Sequence, residues 1–277
     1  ATEYLREKGL AAAAKKAGRI AAEGIVYVGI CDKCGVASII EVNSETDFVA
    51  KNADFKKFVA DLATVVMLEN PADVEALKTC KYPDSDKNVA EMLQEKVLTI
   101  GENLQIRRFA RFDASTVNVG YTHMGGVIGV LVGLEVSDDL KGNPVVAELG
   151  LDIGMQAAAM RPSYLDKSEV DEATLAKEKE ILLAQAKEEN AQSAKPKPDA
   201  IIEKMVMGRI GKYYEENCLL QQAFVKENKV SVEKHIAEVA KELGGTIKLV
   251  KFLRYEKGEG LAKREDNFAE EVASMAK

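Results

Sequence analysis

The 277 residues carry 47% hydrophobic and 30% charged side chains, enough apolar material for one large or two modest cores. Asp and Glu (45) outnumber Lys and Arg (38), and the net charge of -7 argues against nucleic acid as the main partner, because a phosphate backbone would be repelled. No apolar run approaches the roughly 20 residues that cross a bilayer, and the first residues lack an apolar signal core, so the expectation is a cytoplasmic protein with no membrane association.

Taken in chain order, residues 1–24 read as a helix leading into the first strand, with Lys15 and Lys16 on a solvated face. Two strand-like runs follow, 25–31 and 36–43, joined by the turn Asp32-Lys33-Cys34-Gly35. Cys31 and Cys34 have metal-ligand spacing. A structural zinc site needs four ligands, however, and no second Cys/His pair stands at a usual distance, so no metal is expected. Cys80 and Cys218 stand alone, and the four cysteines read as reduced thiols. Phe55, Phe58, Val59, Leu62, Ala63 and Val66 recur at the spacing of one helix face. Val89, Leu93, Val97 and Ile100 form a second stripe, ahead of a half-buried edge strand at 104–112. The first unit therefore reads strand, strand, helix, helix, strand.

A weaker copy of that order begins near residue 117. A strand to His123, a Gly125-Gly126 turn and a strand over 127–136 make a second hairpin. Its end, Leu134-Glu135-Val136-Ser137-Asp138, parallels Ile40-Glu41-Val42-Asn43-Ser44 in the first. A helix after Pro144 stops before Arg161-Pro162, and the third strand is displaced to 247–255. The interruption, 165–228, is rich in Ala, Glu, Lys and Gln with no strand signal; two helices around the polar break at 190–199 predict an antiparallel hairpin. Such an arm cannot bury its apolar stripe alone, so it needs the parent domain or a second subunit, which makes a homodimer through the hairpin an expectation. After the break at Gly258-Glu259-Gly260, Phe268, Val272 and Met275 fall on one side of a short helix.

The predicted fold class is α+β, with two duplicated subdomains, each a small antiparallel three-stranded sheet packed on helices, plus the inserted helical hairpin. The expected boundaries are a linker helix at 1–24, one subdomain at 25–115, a second at 116–164 and 229–257, the hairpin at 165–228 and a helical module at 258–277. Catalysis has no evident home. Gly208-Arg209-Ile210-Gly211-Lys212 lies in a helical stretch without the strand and hydroxyl of a phosphate-binding loop, and His123 and His235 form no metal pattern. No cofactor is expected.

One segment stands out, Asn43-Ser44-Glu45-Thr46-Asp47-Phe48-Val49-Ala50-Lys51, between the first hairpin and its helix. In one reading Ser44 or Thr46 caps a helical turn, Asp47 favours its N-terminus and Phe48 packs beneath the helix. In the other, Phe48 projects as an apolar anchor for a pocket in a partner. His123 is open in the same way, between a satisfied sheet histidine and an exposed contact.

Thr46-Asp47-Phe48-Val49-Ala50-Lys51 resembles the signature of the elongation factor Ts family, and it follows a strand ending in Glu41-Val42-Asn43, as it does there. Residues 11–24, Ile100-Gly101-Glu102-Asn103-Leu104-Gln105-Ile106-Arg107-Arg108, 121–132, 254–260 and 266–275 are similar to further family motifs, so the likeness covers essentially the whole chain. Ser44-Glu45 replaces a common Cys-Gln, and Val127 stands where a basic residue is common. The resemblance implies that most of a small N-terminal three-helix domain is missing. It implies a non-enzymatic guanine-nucleotide exchange factor whose partner is elongation factor Tu, acting by inserting Thr46, Asp47, Phe48 and Val49 and disturbing the partner's magnesium site. Further contacts would come from His123, Met124, Gly125 and Phe268. The alternative is a non-catalytic scaffold whose helical arm is its main function, with Phe48 a core residue.

Overall fold

The computed structural model describes residues 15–193 and 195–262. Among them are eight α-helices and eight strands, the latter in two three-stranded sheets and one two-stranded ribbon. The expected α+β class is correct. Two compact units emerge: one gathers the described residues up to 114 with 120–131 and 254–262, the other takes 115–119 and 132–253. No helix among the described residues is long and apolar enough to cross a membrane.

In the first unit, β1 (Glu23–Ile30) and β2 (Ala37–Ser44) pair antiparallel around the expected turn, and β2 pairs with β3 (Gln105–Phe112) on its other side. The central strand β2 is buried along its whole length, whereas the edge strand β3 is mostly half-buried. A bulge between Glu41 and Val42 shifts the register, so Glu41 lies opposite Arg108 and Val42 opposite Ile106. Glu41 is charged yet buried, and it is fully partnered: Arg107 Nη1 donates at 2.9 Å, Arg108 Nε at 2.6 Å and the backbone N–H of Gly258 at 2.8 Å. A buried carboxylate persists only with such partners, since its desolvation alone would cost several kcal/mol.

Four helices cover this sheet: α1 (Asp47–Lys51), α2 (Ala53–Glu69), α3 (Val74–Thr79) and α4 (Val89–Ile100). Every member of the Phe55-to-Val66 stripe is buried in α2, and Val89 and Val97 are buried in α4. The Asn88 side chain and Glu91 form a capping box at the start of α4. The short helix α3 was not expected; it begins on the Asp73 carboxylate, which accepts from Ala76 N, and buries only Leu77.

The second three-stranded sheet has the order β4 (Val117–His123), β5 (Ile128–Val136), β8 (Ile247–Glu256). In the second unit, α5 (Pro144–Met160) starts with Asn143 as its cap and Pro144 in its first turn, and it ends at Arg161 in the left-handed region just before Pro162. The arm is α6 (Glu172–Ala191) and α7 (Asp199–Asn217), which bury Ala186, Ile202 and Val206 between them. Asn190 closes their connection by bonding both the N–H and the carbonyl of Lys197.

The interruption does contain strands, contrary to its reading from sequence. A ribbon of β6 (Ala223–Phe224) and β7 (Glu227–Ser231) runs through residue 228 and leads into α8 (Val232–Glu242). Its local sequence is polar. What holds it is remote: the buried Gln156 of α5 accepts from Val225 N at 2.7 Å and donates to Ala223 O and Gln222 Oε1 at 3.1 Å, and the Phe224 ring stacks on His235 of α8 at 4.1 Å.

Candidate functional site

The segment leaving β2 is tied down before it turns. Glu102 takes three hydrogen bonds on one carboxylate: Glu45 N and Thr46 N donate at 3.0 Å each, and Thr46 Oγ1 donates at 2.6 Å. The carbonyl of Thr46 in turn accepts from Ser44 Oγ at 3.0 Å, and Glu45 Oε1 accepts from Asn103 N at 2.6 Å. Glu102 reaches this position because α4 ends at Gly101, whose φ of 85° reverses the chain where a side-chain-bearing residue would be strained.

With Thr46 fixed, α1 has room for little more than one turn. Asn52 stops it and uses its own side chain to cap α2, accepting from Asp54 N at 2.8 Å and Phe55 N at 3.2 Å. Successive helical residues point about 100° apart, so with Ala50 buried and Val49 packed against the core, Phe48 is turned to solvent. Phe48 is 79% exposed. That rules out the packed-beneath alternative. Neither Ser44 nor Thr46 supplies a side-chain cap to α1, since the Thr46 hydroxyl is committed to Glu102.

Asp47 lies in the first turn and pairs with Lys51 at 2.6 Å. That hydrogen bond holds the Asp47 carboxyl below its ordinary pKa, so it is charged at neutral pH. Lys51 Nζ also stands 5.9 Å from the centroid of the Phe48 ring. Beside the ring is a groove of about 350 Å³ whose walls include Val49 and Asn52 on one side and Lys96, Thr99 and Ile100 of α4 on the other.

His123 ends β4, Met124 and Gly125 open the turn to β5, and all three are exposed, Met124 at 73%. The His123 ring stacks on Tyr121, whose hydroxyl lies 3.2 Å from His123 Nδ1. Met124 and Gly125 both have positive φ, and Gly126 O accepts from Val26 N at 2.8 Å, which seats the turn on β1. These three residues belong to the same compact unit as Phe48 but do not line its groove. Phe268 lies outside the described residues. The residue that sequence reasoning missed is Glu102; the motif around it was noticed, without a role for the carboxylate.

An apolar ring held in water on an anchored helical turn, next to a groove, is the kind of surface found on proteins that bind other macromolecules. A sequence profile of the family Elongation factor TS matches residues 45–259. Over 274 residues the chain is 49% identical to elongation factor Ts of Clostridium kluyveri, covering 98% of this chain and 87% of that one. The factor of Clostridium perfringens is 49% identical over 276 residues, and that of Clostridioides difficile 48% identical over 278, each covered to 88%. The chain belongs to the elongation factor Ts family, the nucleotide exchange factors of translation elongation that act on elongation factor Tu.

Proposed function

We propose that this chain drives GDP release from elongation factor Tu by inserting the Phe48 ring into the partner's nucleotide-binding domain, with Asp47 and Thr46 orienting the ring, Val49 packing beside it and the partner's magnesium site disturbed in consequence. The observation that carries this reading is the 79% exposure of Phe48 on a turn whose neighbours are all anchored. Leaving a Phe side chain in water forgoes ~1.5–3 kcal/mol, which becomes available when the ring enters a pocket. A pocket present only in the nucleotide-poor conformation weakens GDP binding by that difference, roughly one to two decades. Because Glu102 and Asn52 hold the turn already, little ordering cost is left for the encounter. His123, Met124, Gly125 and Phe268 extend the same contact. For the arm, a second copy of this chain is the proposed cover of the exposed Ile181, Ile201 and Met207.

Release of a fluorescent GDP analogue from elongation factor Tu tests the wedge. Phe48→Ala should slow stimulated release at least about tenfold at fixed concentration, equivalent to ~1.4 kcal/mol, with an unchanged melting temperature. Normal exchange per folded molecule together with a large drop in melting temperature would defeat it.

A further inference from the structure

The turn between β1 and β2 carries a feature that docking leaves unused. Cys31 opens a closed loop and Cys34 lies within it: Cys31 N donates to Val36 O and Gly35 N to Cys31 O, both at 2.8 Å, with Gly35 in the left-handed region at φ 71°. This folding lays the Cys31 sulfur back over the turn, where the N–H of Cys34 donates to it at 3.3 Å. Residues three apart in such a turn have Cα atoms within about 7 Å, inside the span that a disulfide bridges. Cys34 is exposed and Cys31 half-buried, so both thiols are reachable.

We infer that Cys31 and Cys34 form a redox-active dithiol, which low-molecular-weight disulfides convert to an intramolecular disulfide. The Cys31 thiolate attacks one sulfur of the incoming disulfide, whose S–S bond breaks and releases one thiolate with the electron pair. Cys34 then gives its proton to solvent and attacks the Cys31 sulfur of the mixed disulfide, expelling the second thiolate. Two electrons pass from the cysteine pair to the small disulfide, which leaves as two thiols.

The other cysteines supply internal controls. Hydrogen bonds from Cys34 lower the Cys31 thiol below its ordinary value, favouring the nucleophilic thiolate. Burial instead raises Cys80, whose Sγ lies 3.4 Å from Ala76 O, and pushes the wholly buried Cys218 up to about 11. A closed zinc site is the less favoured use of the same pair. It needs four ligands, and among the described residues no group of three or more His, Cys, Asp or Glu is assembled to hold a metal.

The test exposes the full chain to glutathione disulfide, quenches it by alkylation and weighs its peptides. The peptide bearing both cysteines should lose two hydrogens and recover them with dithiothreitol. Cys34→Ser should stop at a single glutathione adduct on Cys31, and Cys31→Ser should slow modification of the turn by at least about tenfold, following the loss of the activated thiolate. Cys80 modified as fast as Cys31, or a wild-type chain that halts at the mixed disulfide, would overturn the assignment. So would stoichiometric zinc in the purified chain that blocks oxidation until a chelator removes it.

Discussion

In the first sheet the chain leaves β2 through Ser44 and Glu45 and ends with Phe48 outward at 79% exposure; in the second it leaves β5 through Ser137 and ends with Leu140 inward at 3%. Both segments are fastened to the residues just ahead of the third strand. Glu45 N and Thr46 N donate to Glu102 before β3, whereas Ser137 N donates to Thr246 O and Ser137 Oγ accepts from Thr246 N before β8. Each also pairs an opening aspartate with a lysine at 2.6 Å, Asp47 with Lys51 and Asp138 with Lys141. What differs is the element that follows. A short α-helix rotates its apolar residue away from the core, while the single turn of 3-10 helix at Asp138–Leu140 leaves its leucine against Gly245. One strand plan thus yields an outward-facing apolar turn in one place and a packed turn in the other.

The sharpest way to break this comparison is to truncate both apolar residues. Leu140→Ala should cost ~2–5 kcal/mol of folding stability with exchange per folded molecule unchanged, and Phe48→Ala should do the reverse. Thermal melts run beside GDP-release rates separate the two, and a matched loss of stability in both would erase the distinction.

The next largest effect is expected in the arm. Replacing residues 172–217 by a short linker should leave the second unit folded, because Tyr164, Leu165 and Lys167 bond to Leu219, Leu220 and Gln221, on either side of the replaced segment. Replacing 165–228 should not, because it strips Gln156 of its partners in the ribbon and leaves a buried amide unsatisfied, at ~1–3 kcal/mol for each lost group. Equal circular dichroism melts for the two deletions would contradict this. Glu102→Gln follows: it keeps the size of the side chain but can accept through only one oxygen, so exchange should fall severalfold while the melting temperature moves by a few degrees. An exchange rate that tracks only the folded fraction would reduce Glu102 to a structural role.

The smallest effect concerns pH. The Asp47 and Asp138 carboxyls are both held below the ordinary 3.8, each first by its lysine hydrogen bond. Since the folded values are depressed, each pair contributes fully above that unfolded value and loses its contribution as pH falls from there through the lower folded value. Both groups are exposed, so the change in stability is slight, and carbon-detected NMR titration is the suitable measurement. A midpoint at or above 3.8 for either would refute that pairing.

Periodicity made most of the fold legible. The Phe55-to-Val66 stripe repeats over three turns of α2, and both hairpins announce themselves through glycine turns. Where local pattern is absent, reading stopped. The helix α3 buries one residue and so has no period, and the β6–β7 ribbon is too short and too mixed in character to show an alternating pattern, its position set by Gln156 from a distant helix. The direction of Phe48 was undecided for the same reason: a lone aromatic has no phase of its own. That phase is imposed by Asn52 on one side and Glu102 on the other, and the second of these is a contact across 56 residues.

The order β4, β5, β8 also has a consequence in time. β5 is buried at seven successive positions, and its second neighbour is β8, so residues 137–246 must be made before that edge is covered. At the ~5–20 residues per second of synthesis, the interval is on the order of ten seconds. A growing chain thus carries a hydrophobic strand with one unpaired edge for as long as it takes to build the arm, and an arm that folds early, on its own cap at Asp171 and its own turn at Asn190, keeps that wait from lengthening.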